Sequence, residues 1–137
     1  MKLTRASTYA LHAVVHMAVQ GQNKPVASHI IAEARHIPER FLLKVLKPLV
    51  SAGILRSIKG PSGGYQLARP ANQITMLEVV EAVDGPVRGQ VPAYHDADKG
   101  NLDRQLESIC EQAAEQLRRH LQKVRITELA GKPAKGR

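Results

Sequence analysis

Residues 36–70 read HIPERFLLKVLKPLVSAGILRSIKGPSGGYQLARP, and the order of signals in this stretch decides the fold. Leu42, Val45, Leu46 and Leu49 recur at helical spacing, so they form the inward face of a helix that Pro38 opens and Gly53 stops. A proline's fixed φ suits the first helical turn, and Glu39 sits well near the positive end of the helix dipole. Arg40, Leu43, Lys44 and Lys47 stand at i, i+3, i+4 and i+7 and share the opposite face. Residues 54–59 are a short β-branched, alternating run, GPSGG at 60–64 is a turn, and 65–69 is a second run. Together they predict a hairpin whose tip carries no bulky side chain.

Upstream, residues 28–34 predict a short helix with Ser28 as its cap and Ile30, Ile31 and Ala34 along it, closed by a tight turn at Arg35 and His36. Residues 4–19 predict a longer helix. Ala6, Tyr9, Ala10, Ala13, Val14, Met17 and Ala18 form its broad apolar face, Thr8, His12, His16 and Gln20 its polar strip, and Gly21 its stop. Two short helices joined by a tight turn, the second amphipathic and basic, spell helix-turn-helix, and the hairpin that follows is a wing. Downstream, 75–83 predicts a short helix with Leu77, Val80 and Val83 inward.

Residues 86–101 have little periodicity, and a loop of this length tends to be functional or disordered. From 102 to 124 the apolar positions are Leu102, Leu106, Ile109, Cys110, Ala113, Leu117, Leu121 and Val124. A helix of that span is about 33 Å long, more than so small a domain covers easily, and a partner helix is the simplest cover. The expected plan is a mainly α chain with a small β-hairpin wing: winged helix-turn-helix over 1–85, loop over 86–101, dimerisation helix and terminal segment over 102–130, and a disordered tail over 131–137.

Composition narrows the function. The 137 residues carry 20 Lys plus Arg against 12 Asp plus Glu, a net charge of +8. All of that excess lies before residue 71, where only Glu33 and Glu39 are acidic, so this part is expected to face a polyanion and the remainder to self-associate. Phe41, Tyr9, Tyr65 and Tyr94 are too few and scattered for an aromatic base-stacking platform. One cysteine excludes an internal disulfide framework and any all-thiolate zinc or iron-sulfur site made by one chain. The absence of a long apolar run predicts a cytoplasmic protein without membrane contact.

The basic face of the third helix suits a major groove. Arg40 can pair bidentately with guanine, Lys44 and Lys47 can neutralise phosphates, and Leu43 can meet a thymine methyl. Around the wing tip, Lys59, Gly60, Pro61, Ser62, Gly63 and Gly64 allow the backbone to approach phosphates or a minor groove. The glycines do not make a P-loop, because no Gly-Lys-Ser/Thr follows and the next segment is a strand. No catalytic arrangement stands out, and Glu107, Glu111 and Glu115 are expected on a solvated helix face, so no enzymatic activity is expected. His12 and His16 have the spacing of a metal pair without a third ligand, and His95, Asp96 and Asp98 cluster in the long loop; neither set is expected to hold metal.

The runs MKLTRASTYALHAVVHMA, HIPERFLLKVLKPLVSAGILRSIKGPSGGYQLARP and ITMLEVVEAVDGP, with a weaker echo in VRITELA, resemble the Rrf-two family of bacterial winged-helix regulators. The resemblance implies a homodimer built through the long helix, with double-stranded DNA as partner. It carries DNA contact onto Pro38, Arg40, Phe41, Leu43 and Lys44, onto Lys59 to Gly64 of the wing, and onto Lys2 and Thr4 of the N-terminal arm. The dimer interface is expected at Leu106, Ile109, Cys110, Ala113, Leu117, Leu121 and Val124. Sensing members hold an iron-sulfur cluster through three cysteines before the long helix, and PVRGQVPAYHDADKGN has none, so no cofactor is expected. Two alternatives stay open for the signal: a small-molecule or metal effector on the 86–101 loop, or a thiol-redox switch in which Cys110 meets its dimer mate. A third alternative is an enzyme or subunit that has borrowed the winged fold for protein contacts.

Overall fold

The computed structural model describes residues 1–21, 23–92 and 100–131. Helix α1 (Arg5–His16) starts where the Thr4 hydroxyl accepts the Ser7 N–H at 3.0 Å, and it widens into one π turn, Met17–Gly21. Ala10, Ala13, Val14 and Met17 bury its inner face. His16, expected on the polar strip, is instead 7% exposed. The correction has a partner: Arg35 Nε donates to His16 Nδ1 at 3.3 Å, so the ring enters the core with its acceptor satisfied.

Helices α2 (Ser28–Arg35) and α3 (Glu39–Ser51) form the helix-turn-helix, and His36 reverses the chain between them at φ 54°. Ser28 does not cap α2, as Ala27 holds that position; its hydroxyl donates to Glu39 Oε2 at 2.7 Å and ties the two helix starts together. Pro38 stands at the N-cap of α3. Leu42, Val45, Leu46 and Leu49 are buried as their spacing predicts.

Strands β1 (Leu55–Ile58) and β2 (Gly64–Leu67) pair antiparallel, with Leu55 opposite Leu67 and Ile58 opposite Gly64. A third segment completes the wing: Val26 and Tyr65 exchange two backbone hydrogen bonds of 2.8 Å. A 3-10 turn, Ala71–Gln73, leads to α4 (Met76–Asp84), which a Thr75/Glu78 capping box opens. Burial pushes the Glu78 carboxyl up, but hydrogen bonds from Arg69 and from the Thr75 backbone and hydroxyl hold it below the usual glutamate range.

Helix α5 (Asn101–Lys123) leads through Val124 into the short α6 (Ile126–Ala130). The chain then returns to the first domain. Met76 N–H donates to the Val124 carbonyl at 2.8 Å, Ile126 N–H donates to the Ile74 carbonyl at 2.9 Å, and Ile126 is fully buried in the same core as Leu46 and Val79. The division at 85 and 102 therefore separates segments that share one core. Residues 132–137, expected to be a disordered tail, lie outside the described residues.

Candidate nucleic-acid interface

On α3 the predicted face exists: Arg40, Leu43, Lys44 and Lys47 are all exposed, Leu43 by 42%, while the leucines opposite are fully covered. Phe41, beside them, is 38% exposed. The Arg40 guanidinium lies 4.8 Å from its ring centroid and the Lys44 ammonium 5.7 Å, so one ring holds two cations on the helix surface. A cleft of about 270 Å³ opens beside it, between Arg5, Ala6 and Tyr9 of α1 and Phe41, Lys44 and Val45 of α3. Arg5 thus joins this face from α1. Sequence spacing does not reveal it, because the two helices meet only in the fold.

In the wing the proposed contact residues divide. Lys59, Gly60, Pro61 and Ser62 are exposed, and Pro38 is exposed at the start of α3. Gly63 and Gly64 are half-buried and serve the hairpin itself. A Cβ on Gly63 would stand 2.1 Å from the Ile58 carbonyl oxygen, and one on Gly64, at φ +149°, would stand 2.4 Å from that of Val26. Only glycine fits where the third segment crosses the hairpin.

At the N-terminal arm, Lys2 is exposed. Thr4 is already engaged: its hydroxyl caps α1 and donates to the Asp84 carboxylate at 2.8 and 2.9 Å. The fully buried Ser7 donates to the same carboxylate at 2.5 Å. Thr4 itself remains exposed, with its hydroxyl held in this arrangement. Asp84, which looks like a simple helix terminator in sequence, joins the end of α4 to the start of α1.

The apolar stripe of α5 splits in two. Leu102, Leu106 and Ile109 are exposed by 50, 39 and 60%, and Ala113 is exposed beside them. Leu121 is 4% exposed and Ala114 7%, both covered within their own chain, while Cys110, Leu117 and Val124 lie half-buried along the seam. Leu121 is therefore a core residue of its own protomer. Its one-residue advance on the stripe follows from 3.6 residues per turn: a row stepped by four and three drifts around a straight helix toward the core side.

The described part of the long loop, residues 85–92, lies along α5. Val87 N–H donates to Glu81 Oε2 at 2.8 Å, Gly89 N–H donates to Glu111 Oε2 at 3.1 Å, and Arg118 donates to the Val87 carbonyl. Arg118 also reaches Glu111 at 2.9 Å and Glu115 at 2.5 Å. Its hydrogen bonds, with that of Gly89 on Glu111, hold both carboxyls below the usual range. Glu111 and Glu115 lie on a solvated face as expected, and there Glu111 holds the loop through Gly89 while Glu115 steadies the Arg118 that reaches Val87. Gly89 is required here, since its Cβ would stand 2.3 Å from the Cys110 carbonyl carbon.

His12 and His16 do not form a metal pair, because Arg35 approaches the Nδ1 of both, at 3.4 and 3.3 Å. Burial, and then the charge of Arg35, hold His16 below the ordinary histidine range. His95, Asp96 and Asp98 lie outside the described residues, and among the described residues no three His, Cys, Asp or Glu side chains gather as metal ligands.

The profile of the Rrf2 family, described as iron-dependent transcriptional regulators, matches residues 3–132. The chain belongs to the Rrf2 family. Its relatives include the HTH-type transcriptional regulator IscR of Vibrio campbellii, 37% identical over 87 residues that cover 64% of this chain and 52% of that one. Protein aau3 of Rhizobium meliloti is 36% identical over 84 residues, 61% of this chain and 54% of its own. The chain spans about half the length of these curated relatives. In structure it resembles CymR, the global cysteine regulator of B. subtilis, at a TM-score of 0.76 and 22% identity over 98% of this chain and 99% of that one. IscR of T. potens follows at 0.72 and 21%, over 99 and 94%. These solved structures share the fold. The Rrf2 family comprises transcriptional regulators rather than enzymes. An iron-sulfur cluster does not fit the donor set present, since the chain supplies one thiol, on a helix seam, where such clusters are held by several thiolates. Among the described residues no helix is long and apolar enough to cross a membrane.

Proposed function

We propose that the chain is a sequence-specific DNA-binding transcription regulator that acts as a homodimer on a palindromic operator, without a conventional iron-sulfur cluster. The observation that carries this reading is the exposed row Arg40, Leu43, Lys44 and Lys47 on a helix whose other face is wholly buried. Arg40 reads guanine, Leu43 meets a thymine methyl, Lys44 and Lys47 take phosphates, and the Lys59–Ser62 tip reaches the neighbouring groove. Lys2 adds a backbone contact from the arm.

A second copy is the natural cover for Leu102, Leu106, Ile109 and Ala113, because a stripe of this length left in water would be an association hazard. Two-fold symmetry then puts two half-sites a helical turn or a small multiple apart. Selecting bound duplexes from a random pool with the purified chain tests the reading. An inverted repeat is the expected result; no enrichment above input would refute it. With about 6 to 10 phosphate contacts per dimer, affinity falls roughly 10³- to 10⁵-fold between 50 and 200 mM salt. Arg40→Ala shifts base preference at one position per half-site while Lys47→Ala lowers the salt slope.

A further inference from the structure

We propose that the cleft between the π turn of α1 and the base of the wing is a binding site for a small amphipathic anion, a carboxylate or phosphate monoester on an apolar body. The cleft measures about 510 Å³, within the range of small-ligand sites, and contains none of the α3 or wing-tip residues assigned to DNA. Its walls are chemically divided. Met17, Leu67 and Pro70 supply apolar surface, and Lys24, Arg56 and Arg69 supply positive charge, with no acidic side chain among the lining residues.

The charges are not equally free. Arg69 is paired with Glu78 and donates to the Gln73 carbonyl at 3.0 Å, so its charge is already answered. Among the described residues the Arg56 side chain donates only to the Ala68 carbonyl at 3.3 Å, a neutral acceptor that leaves the rest of its planar fork open. Lys24 has no ion pair among the described residues. Two cations without counter-charge beside an apolar wall suit an anion whose body is not itself polar.

The backbone of one wall is also unusual. Met17–Gly21 is a π turn, a rare form that occurs mostly as single turns and frequently at functional sites, and Asn23 sits in the left-handed region at φ 70°. These features fall at the end of α1 that the DNA-facing residues do not use. The opposite wall is β2, whose Tyr65 holds the third wing segment through Val26, so an occupant would rest against the strand that carries the wing.

The test is an amide-resolved NMR titration of the full chain with phenyl phosphate, benzoate, inorganic phosphate and, as the uncharged control, benzyl alcohol. Saturable shifts centred on Met17, Ala18, Leu67 to Arg69 and Ala71 are expected with one or both aromatic anions at millimolar concentrations. Which of the two saturates first tells phosphate monoester from carboxylate. A Lys24→Gln/Arg56→Gln double variant is expected to bind about tenfold or more weakly, and Arg56→Lys to retain most binding by keeping the charge. Both side chains lie outside the core, and the same spectra report whether the variants fold. The proposal is overturned if neither anion gives saturable shifts there, if benzyl alcohol binds as well, if inorganic phosphate alone matches the aromatic anions, or if the folded double variant binds like the parent.

Discussion

Phe41→Leu removes the ring that Arg40 and Lys44, the cations proposed to meet DNA, share without removing either cation. The ring stands 4.8 Å from the Arg40 guanidinium and 5.7 Å from the Lys44 ammonium. Each contact at an exposed site is worth roughly 0.5–1 kcal/mol, and ordering a long side chain at an interface costs about 0.5–1.5 kcal/mol. Holding both side chains before binding therefore spares roughly 1–3 kcal/mol per half-site, and losing it in both half-sites of the proposed dimer costs roughly 2–6 kcal/mol, a weakening of about 30-fold or more. Fluorescence anisotropy on the selected operator, at one salt concentration, measures it. Phe41→Tyr keeps the ring and should bind within a few-fold of the parent. The charges remain, so the slope of log affinity against log salt should be unchanged. Phe41 is 38% exposed and lies outside the buried cluster, so melting temperature should move little. Parent-like affinity in Phe41→Leu would show that the ring does not organise the cations and refute the argument.

His16 carries a pH dependence of stability. Its folded-state pKa lies below the unfolded 6.5, because burial and Arg35 oppose a second proton, so its contribution is complete above pH 6.5 and drains away as pH falls through that value. Thermal melts between pH 7.5 and 5 should show this loss in the parent and a flatter profile in His16→Gln; parallel profiles would count against it. Gly64→Ala sets a methyl 2.4 Å from the Val26 carbonyl at φ +149° and should cost about 1–3 kcal/mol in chemical denaturation, whereas a neutral outcome would mean the third wing segment is loosely held. Ile109→Glu places charge at the most exposed point of the α5 stripe; light scattering should report the proposed dimer for the parent and a folded monomer for the variant, whereas a dimeric variant would put the interface elsewhere.

The elements from α1 to α4 were legible because each is announced locally: a period of 3.6 in the leucines of α3, alternation in the hairpin, glycine at its turn. What escaped was every feature fixed by residues distant in sequence. Ser28 looks like a cap until Glu39 comes within 2.7 Å of it, and His16 looks solvent-facing until Arg35 meets it from α2. Thr4 matches a DNA-contact position in the family resemblance, yet its hydroxyl is spent on Asp84, eighty residues away. The α5 stripe was seen whole but not divided, because spacing alone marks which residues are apolar and not how far a straight helix turns before its own domain covers them.

In the proposed dimer, the same long-range contacts would connect the dimer helix to the DNA-binding elements. Helix α5 is fastened to the winged domain at its far end by the paired hydrogen bonds of 124–126 with 74–76, and along its middle by the loop that Arg118 and Glu111 hold down. That loop leaves α4 at Asp84, whose carboxylate grips Thr4 and Ser7 at the start of α1. Rotating α5 against the domain must break the backbone pair or lift the loop, and Gly89, pressed against Cys110, leaves little slack for a partial movement. In a dimer joined through Leu102, Leu106 and Ile109, the angle between the two α3 helices then follows the angle between the two α5 helices.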